Sequence, residues 1–367
     1  MKRGSALIIV LWVVALLSVL IGGFAFDMHV EAKIVSHLRK RLKAEYLSKA
    51  GLEYAQALFI HSQEVKGKGD SDEMKGKYWY DSAKRLRQGY AIMGLTVKLG
   101  EGTFILDILP EPALRNLNAI KDDEDWDAIF TVGGVPDDIN LRKELIDCLY
   151  DWRDPDDDRS TDGAETDDYY ARLDPPYKAR GHKATVSSKT SKVMTPDKMV
   201  NLDTIEELLL IKGWSHAILY GGYAEDGDTN SAPMTGIADL LTVSPEAGET
   251  VNINAASKRV LMTLPGIDST LADAIIAERE KGGRQGLTGG AQISEDYFYT
   301  DVNNLFSRVP ELNRLTAEEQ QRLKALGGTA SSVLRVRSSG VVHGVEYRMT
   351  STLGVTASGN GTAQIRK

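Results

Sequence analysis

A chain of 367 residues, 42% of them apolar, has room for about two domains with real cores. Its net charge of −8 and pI near 5.4 exclude the basic footprint that general nucleic-acid binding needs, and favour divalent cations or basic protein surfaces as partners. One cysteine, Cys148, excludes an internal disulfide framework. Within Leu145-Ile146-Asp147-Cys148-Leu149 it reads as a small buried hydrophobe on a helix, and none of the six histidines stands in a catalytic motif beside it.

Met1-Lys2-Arg3-Gly4 is short and basic, and no charge follows between Ser5 and Phe26. That apolar run is long enough to cross a bilayer as a helix, and Lys2 and Arg3 keep its start cytoplasmic. It exceeds the core of a cleaved secretory signal and runs into a helical pattern rather than a cleavage site. Two readings stay open: a plain anchor, or a type IV prepilin-like leader cut after Gly4, which leaves Ser5 first in the mature chain. Most pilin-like helices carry Glu at the fifth mature position, and here that position is Ile9.

Beyond the membrane, Ile34, Leu38, Leu42, Tyr46, Leu47, Ala50, Tyr54 and Leu58 recur at three- and four-residue steps. They predict one helix from about residue 5 to about 64, with a possible bend at Gly22-Gly23 and a break at 66–70. Strands are expected over 91–99 and 103–109, joined through Gly100-Glu101-Gly102. A second strand pair, 332–338 and 341–353, is expected to turn at Ser339-Gly340, with a bulge at Gly344 and a frayed tail from about Gly359. Residues from about 113 to 325 read mainly as helices. Within them Asn116-Leu117-Asn118-Ala119 resembles Asn252-Ile253-Asn254-Ala255, a weak repeat whose asparagines suit helix N-caps.

The segment from Asp151 to Asp168 carries nine carboxylates in eighteen residues. Such crowding is self-repulsive unless something cancels the charge. Calcium takes six to eight oxygen ligands in flexible geometry, and Pro155 and Gly163 supply turns. The spacing is not that of an EF-hand, and the absence of His and Cys argues against zinc. A solvated acidic loop is the other reading, although Trp152 and Tyr169-Tyr170 look like pins to a core. No nucleophile or sugar-binding motif accompanies the acids, so no enzyme activity is expected.

Leu264-Pro265-Gly266-Ile267-Asp268, followed by Ala272, Ile275 and Ile276, resembles the helix-hairpin-helix of DNA-binding proteins. That motif holds a phosphate on backbone N–H groups at a helix N-terminus. Asp268 stands where the second glycine is expected and would repel a phosphate. Only Lys281 and Arg284 follow nearby, so the hairpin reads as a packing unit.

Taken in order, these features resemble the general secretion pathway protein K family, the large minor pseudopilins of type II secretion systems. The carriers are Lys2-Arg3-Gly4 before Ser5, the helix with Ile9, and Asn116-Leu117-Asn118. Next come Asp151-Trp152-Arg153-Asp154 through Gly163-Ala164-Glu165 to Tyr169-Tyr170, the segment 203–213, and Asn252-Ile253-Asn254 through Leu264-Pro265-Gly266. The resemblance implies an α+β, pilin-like fold: a long N-terminal helix on a small antiparallel sheet, with a large inserted all-helical domain. The implied division is a leader at 1–4, a transmembrane half-helix at 5–26, a pilin-like domain at 27–112 and 328–367, and the insertion at 113–327. It implies a single-pass inner-membrane protein with a periplasmic bulk, at the tip of a pseudopilus with minor pseudopilins I and J. Other pseudopilins, the inner-membrane platform and the prepilin peptidase are further implied partners, the last cutting after Gly4 and methylating Ser5. Calcium is implied at Asp151, Asp154, Asp156, Glu165 and Asp168. The alternative is a membrane-anchored periplasmic DNA-binding protein that uses the hairpin with Lys281 and Arg284.

Overall fold

The computed structural model describes residues 4–68, 79–182, 199–223, 233–244, 247–281, 298–329, 331, 333–357 and 363–366. Lys2, Arg3 and Arg284 lie outside the described residues. The chain divides into two compact units.

The first unit comprises residues through Ala57, with Ile92–Ile108 and Val336–Ser351. Its spine is helix α1, Gly4–Lys68, which runs through Gly22-Gly23 without a break. Within Leu7–Ser62 of this helix the most apolar window has a mean hydropathy of 2.9 and is not buried at all, long and apolar enough to cross a membrane. Past the apolar run, α1 turns a face of small residues to the sheet. Ala44, Ser48 and Ala55 are fully buried, and the Ser48 hydroxyl donates to the Ser338 carbonyl at 2.8 Å. A side chain at Gly51 would collide with Ser338, and one at Gly340 with the Ala44 carbonyl. The opposite stripe, Ile34, Leu38, Leu42 and Tyr46, stays exposed.

Strand β1, Ile92–Leu99, pairs antiparallel with β2, Gly102–Pro110, through a tight turn at Gly100-Glu101, as its sequence predicts. The second pair, β7 (Val333–Val342) and β8 (Val345–Ala357), turns at His343-Gly344, not at Ser339-Gly340. His343 and Gly344 take φ of 45° and 81°, the conformation a two-residue hairpin turn requires. Gly340 is thus a strand residue, kept small by the approach of α1. The tail expected to fray contains β9, Ala363–Arg366, antiparallel to the end of β8. The sheet order is β1-β2-β7-β8-β9. This is the expected α+β class: a long N-terminal helix, an antiparallel sheet and further helices.

The second unit comprises Leu58–Ala91, Leu109–Arg335 and Thr352–Lys367. Its helices are α2 (Tyr80–Arg87), α3 (Asp123–Gly133), α4 (Ile139–Arg153), α5 (His216–Tyr220), α6 (Lys258–Leu261), α7 (Ser269–Glu280), α8 (Val302–Arg308) and α9 (Ala317–Leu326). They are shorter and more interrupted than the reading of 113–325 as mainly helices; the Leu-rich run Ile205–Leu210 is a 3-10 helix. The two Asn-x-Asn segments do the same work twice. β3 (Arg115–Asn116) pairs parallel with β4 (Leu241–Thr242), and β5 (Val251–Asn252) with β6 (Gly327–Gly328). Asn116 accepts from the Asn118 N–H, and Asn252 from the Asn254 N–H. The second asparagine of each then ties distant backbone together: Asn118 to Leu202 and Val243, Asn254 to Gln88 and Tyr299. One apolar core packs between the helices, with Trp126, Phe130 and Trp214 in mutual contact at centroid distances of 5.7–5.8 Å.

Candidate metal centre

Helix α4 builds the site. Asp138 caps its N-terminus by accepting from the Asn140 N–H, and Leu145, Cys148, Leu149 and Trp152 bury one face. At its C-terminus three backbone carbonyls are tied. The Trp152 carbonyl accepts from Gly181 N–H at 2.9 Å, the Arg153 carbonyl from Val200 N–H at 2.7 Å, and the Tyr150 carbonyl from Asp154 N–H. Asp151 and Asp154 therefore sit at the negative end of a helix dipole, an unfavourable place for carboxylates without a cation nearby. Arg153 does not serve. Its guanidinium donates to the Val200 and Asn118 carbonyls instead.

The loop after α4 folds back over this end. Trp152, Tyr170 and Tyr177 stack edge to face, with Trp152 5.0 Å from Tyr170 and 6.1 Å from Tyr177. The Glu165 carbonyl accepts from the Tyr169 and Tyr170 N–H groups, and the Glu165 side chain is buried. One carboxylate oxygen each from Asp151, Asp154 and Glu165 then lies within 4.8 Å of the others. Asp151 and Glu165 are 1% and 2% exposed. Asp151 accepts from the Ser160 N–H at 3.1–3.2 Å, but both Glu165 oxygens and Asp154 Oδ1 are buried with no hydrogen-bond partner.

Burial and mutual repulsion act together here. Loss of water raises the Glu165 carboxyl to about 8, with Asp154 and Asp151 adding to it. The same cause, followed by the charges of Asp156 and Asp151, raises Asp154 to about 7, and burial raises Asp151 as well. Bare buried carboxyl oxygens without donors are the groups a hard cation satisfies, and an all-oxygen set suits calcium rather than zinc. Asp151, Asp154 and Glu165 fit such an ion, and when bound it would cancel their repulsion.

The other two expected ligands are not part of this convergence. Asp156 accepts from the Asp158 N–H at 3.0 Å in a local turn. Asp168 accepts from the Glu165 N–H at 2.8 Å and pairs with Arg159 at 3.1 Å, so it braces the ligand loop from outside. Two glycines matter that sequence reasoning passed over or gave another role. A side chain at Gly163, read as a turn residue, would strike the Asp151 carboxylate, and one at Gly181 would strike the Asp154 carbonyl. No local pattern flags Gly181, because its contact spans the whole loop. Cys148, with a thiol pushed up to about 12 by burial, lies under the loop as an inert core residue.

The hairpin has a different chemistry. Asp268 caps α7 by accepting from the Leu271 N–H at 2.7 Å, which fills the position a phosphate would take. A Cβ at Gly266 would lie 2.6 Å from Leu315 and 3.1 Å from the Glu319 carboxyl, so the hairpin packs on the start of α9. Lys281 is paired with Glu278.

Residues 115–220 match the family model described as type II secretion system, protein K, a span that includes all five expected ligands. Residues 246–285 match that of the helix-hairpin-helix motif. No curated protein matches the chain. A solved structure with the same fold is that of the GspK-GspI-GspJ complex from the enterotoxigenic Escherichia coli type 2 secretion system. It is similar at 15% identity and a TM-score of 0.51, over 92% of this chain and 97% of that one. The protein K match thus lies on the unit that holds the carboxylates, and the fold is shared almost end to end with the solved complex structure.

Proposed function

We propose that this chain is a minor pseudopilin at the tip of the type II secretion pseudopilus, a non-enzymatic assembly and capping subunit for protein export across the outer membrane. The observation that carries the proposal is the protein K match within the second unit of a chain whose first helix is long and apolar enough to span a membrane. The apolar half of α1 holds the subunit in the inner membrane, N-terminus in the cytoplasm, and the bulk faces the periplasm. The exposed stripe Ile34, Leu38, Leu42 and Tyr46 gives neighbouring pseudopilin helices a surface to pack on. At Ile9 the helix lacks the acidic group that would meet the terminal amine of a subunit above, which suits a place with nothing above it. Partners are the minor pseudopilins I and J, the other pseudopilins and the membrane platform. Prepilin peptidase cuts after Gly4 and methylates Ser5. Calcium held by Asp151, Asp154 and Glu165 is structural.

The test is co-purification of the full-length chain with its two partner pseudopilins from a membrane extract, with mass measurement of the mature N-terminus. A stable ternary complex and a methylated chain beginning at Ser5 are expected. A chain that still begins at Met1, or one that assembles with neither partner, would remove the reading.

A further inference from the structure

We propose that the hairpin groove of the second unit docks a cationic segment of another protein. The groove, about 770 Å³ and open to solvent, is lined by one face of α3, the 262–269 hairpin and the start of α9. Ala128, Val132 and Met262 give it an apolar floor, half-buried against the core. Glu124, Asp125, Asp268, Glu318 and Glu319 line it, against one cation, Arg322. Arg322 is already committed to Glu124 and to Asp125, at 2.9 Å from the latter, and Asp125 is also paired with buried Arg115, so the acids left open to a ligand are Asp268, Glu318 and Glu319. Asp268 and Glu319 each use one oxygen as a helix cap and leave the other free. Glu318 is exposed and makes no ion pair among the described residues.

The chemistry selects the occupant. A nucleic-acid phosphate is repelled, although the segment matches a motif named for the helix-hairpin-helix. A bare metal ion is a poor fit, since these acids do not converge as Asp151, Asp154 and Glu165 do. Carboxylates spread around an apolar floor suit lysine and arginine, whose aliphatic stems lie on the floor while their heads reach the rim. An interleaved aliphatic side chain completes the fit. In this chain the surface on which the motif elsewhere holds a phosphate has inverted polarity, and so an inverted class of ligand.

The test uses the full-length chain in phosphatidylcholine nanodiscs and a fluorescein-labelled decapeptide of lysine, arginine, leucine and glycine, read by fluorescence anisotropy. Saturable binding that weakens with salt is expected. Glu318→Lys should weaken it about fivefold, the scale of losing and reversing one exposed charge contact. Met262→Trp, which fills the floor without changing charge, should weaken it at least as much. Asp174→Lys makes the same charge change at an exposed site outside the groove and should leave binding within about twofold. Absence of saturable binding overturns the proposal, as does equal loss in Asp174→Lys or displacement of the peptide by an oligonucleotide that itself binds the groove. Should Met262→Trp fail to fold, the exposed Glu318→Lys decides alone.

Discussion

The second unit places carboxylates at opposite ends of helices, and the two ends treat them oppositely. At the N-termini of α7 and α9, Asp268 and Glu319 accept backbone N–H groups and face a favourable dipole. Glu319, hydrogen-bonded to the Thr316 N–H and hydroxyl, is held below the usual carboxylate range. At the C-terminus of α4, Asp151 and Asp154 face an unfavourable dipole, and Glu165 joins them with both oxygens bare. Glu165 and Asp154 are pushed up to about 8 and about 7, and Asp151 is raised too. Acid at the right end of a helix is part of the fold, whereas acid at the wrong end leaves buried oxygens of Asp154 and Glu165 without donors, which a bound cation would satisfy.

The largest effect should come from supplying that cation. Calcium at a hundredfold excess over its dissociation constant stabilises by about 2.7 kcal/mol, or roughly 5–10 °C in the melting temperature of a unit this size. Glu165→Gln sharpens the comparison, because it removes a buried charge and an ion ligand together. Its melting temperature should exceed that of the native chain in chelator at pH 8 and no longer respond to calcium. A native chain that melts alike in calcium and chelator breaks the comparison. Gly163→Ala tests the same centre by shape. Its methyl group would meet the Asp151 carboxylate, so calorimetry should show at least a tenfold loss of calcium affinity, about 1.4 kcal/mol.

The pH dependence follows in sign. Asp154 and Glu165 titrate higher in the folded chain than an unfolded chain allows, so the folded state binds more protons between their unfolded values, near 4, and about 8. Their contribution is full below about pH 4 and is lost as pH rises through 7 and 8. In chelator the melting temperature should therefore fall from pH 6 to pH 8.5. In saturating calcium that fall should flatten or vanish, since the bound ion holds the carboxylates charged. A fall of equal size in both conditions would locate the titrating groups elsewhere.

Much of this was legible in the sequence, and the rest was not for physical reasons. The membrane-length helix and the β1–β2 hairpin follow from hydrophobic runs and a glycine turn, both local signals. The β7–β8 turn lies four residues beyond the expected one because Gly340 looks like a turn glycine, while its smallness serves the approach of α1. The acidic loop announced itself by density, yet density could not separate its members. Asp156 and Asp168 look equal to Asp154 along the chain, and only the fold shows one Asp156 oxygen held by the Asp158 N–H and both Asp168 oxygens held by the Glu165 N–H and Arg159. The convergence of Asp151, Asp154 and Glu165 depends on the loop closing over α4, where Gly163 and Gly181 leave room. In the hairpin, Asp268 was readable as a departure from a phosphate-binding pattern, and its role as the cap of α7 gives that departure a structural cause.

The smallest effect lies at the favourable end. Thr316 and Glu319 form a reciprocal capping box on α9, the Thr316 hydroxyl accepting from the Glu319 N–H at 3.2 Å and Glu319 from the Thr316 N–H at 2.8 Å. Thr316→Ala and Asp268→Ala should each cost about 1 kcal/mol, a shift of about 2–4 °C, equally in calcium and in chelator. Asp268→Asn keeps an acceptor for the Leu271 N–H and loses only the charge beside the α7 dipole, so it should retain most of that stability. If Asp268→Asn instead stabilises the chain and makes it less sensitive to calcium, as Glu165→Gln should, the two helix ends would not differ in kind and the contrast drawn between them would fail.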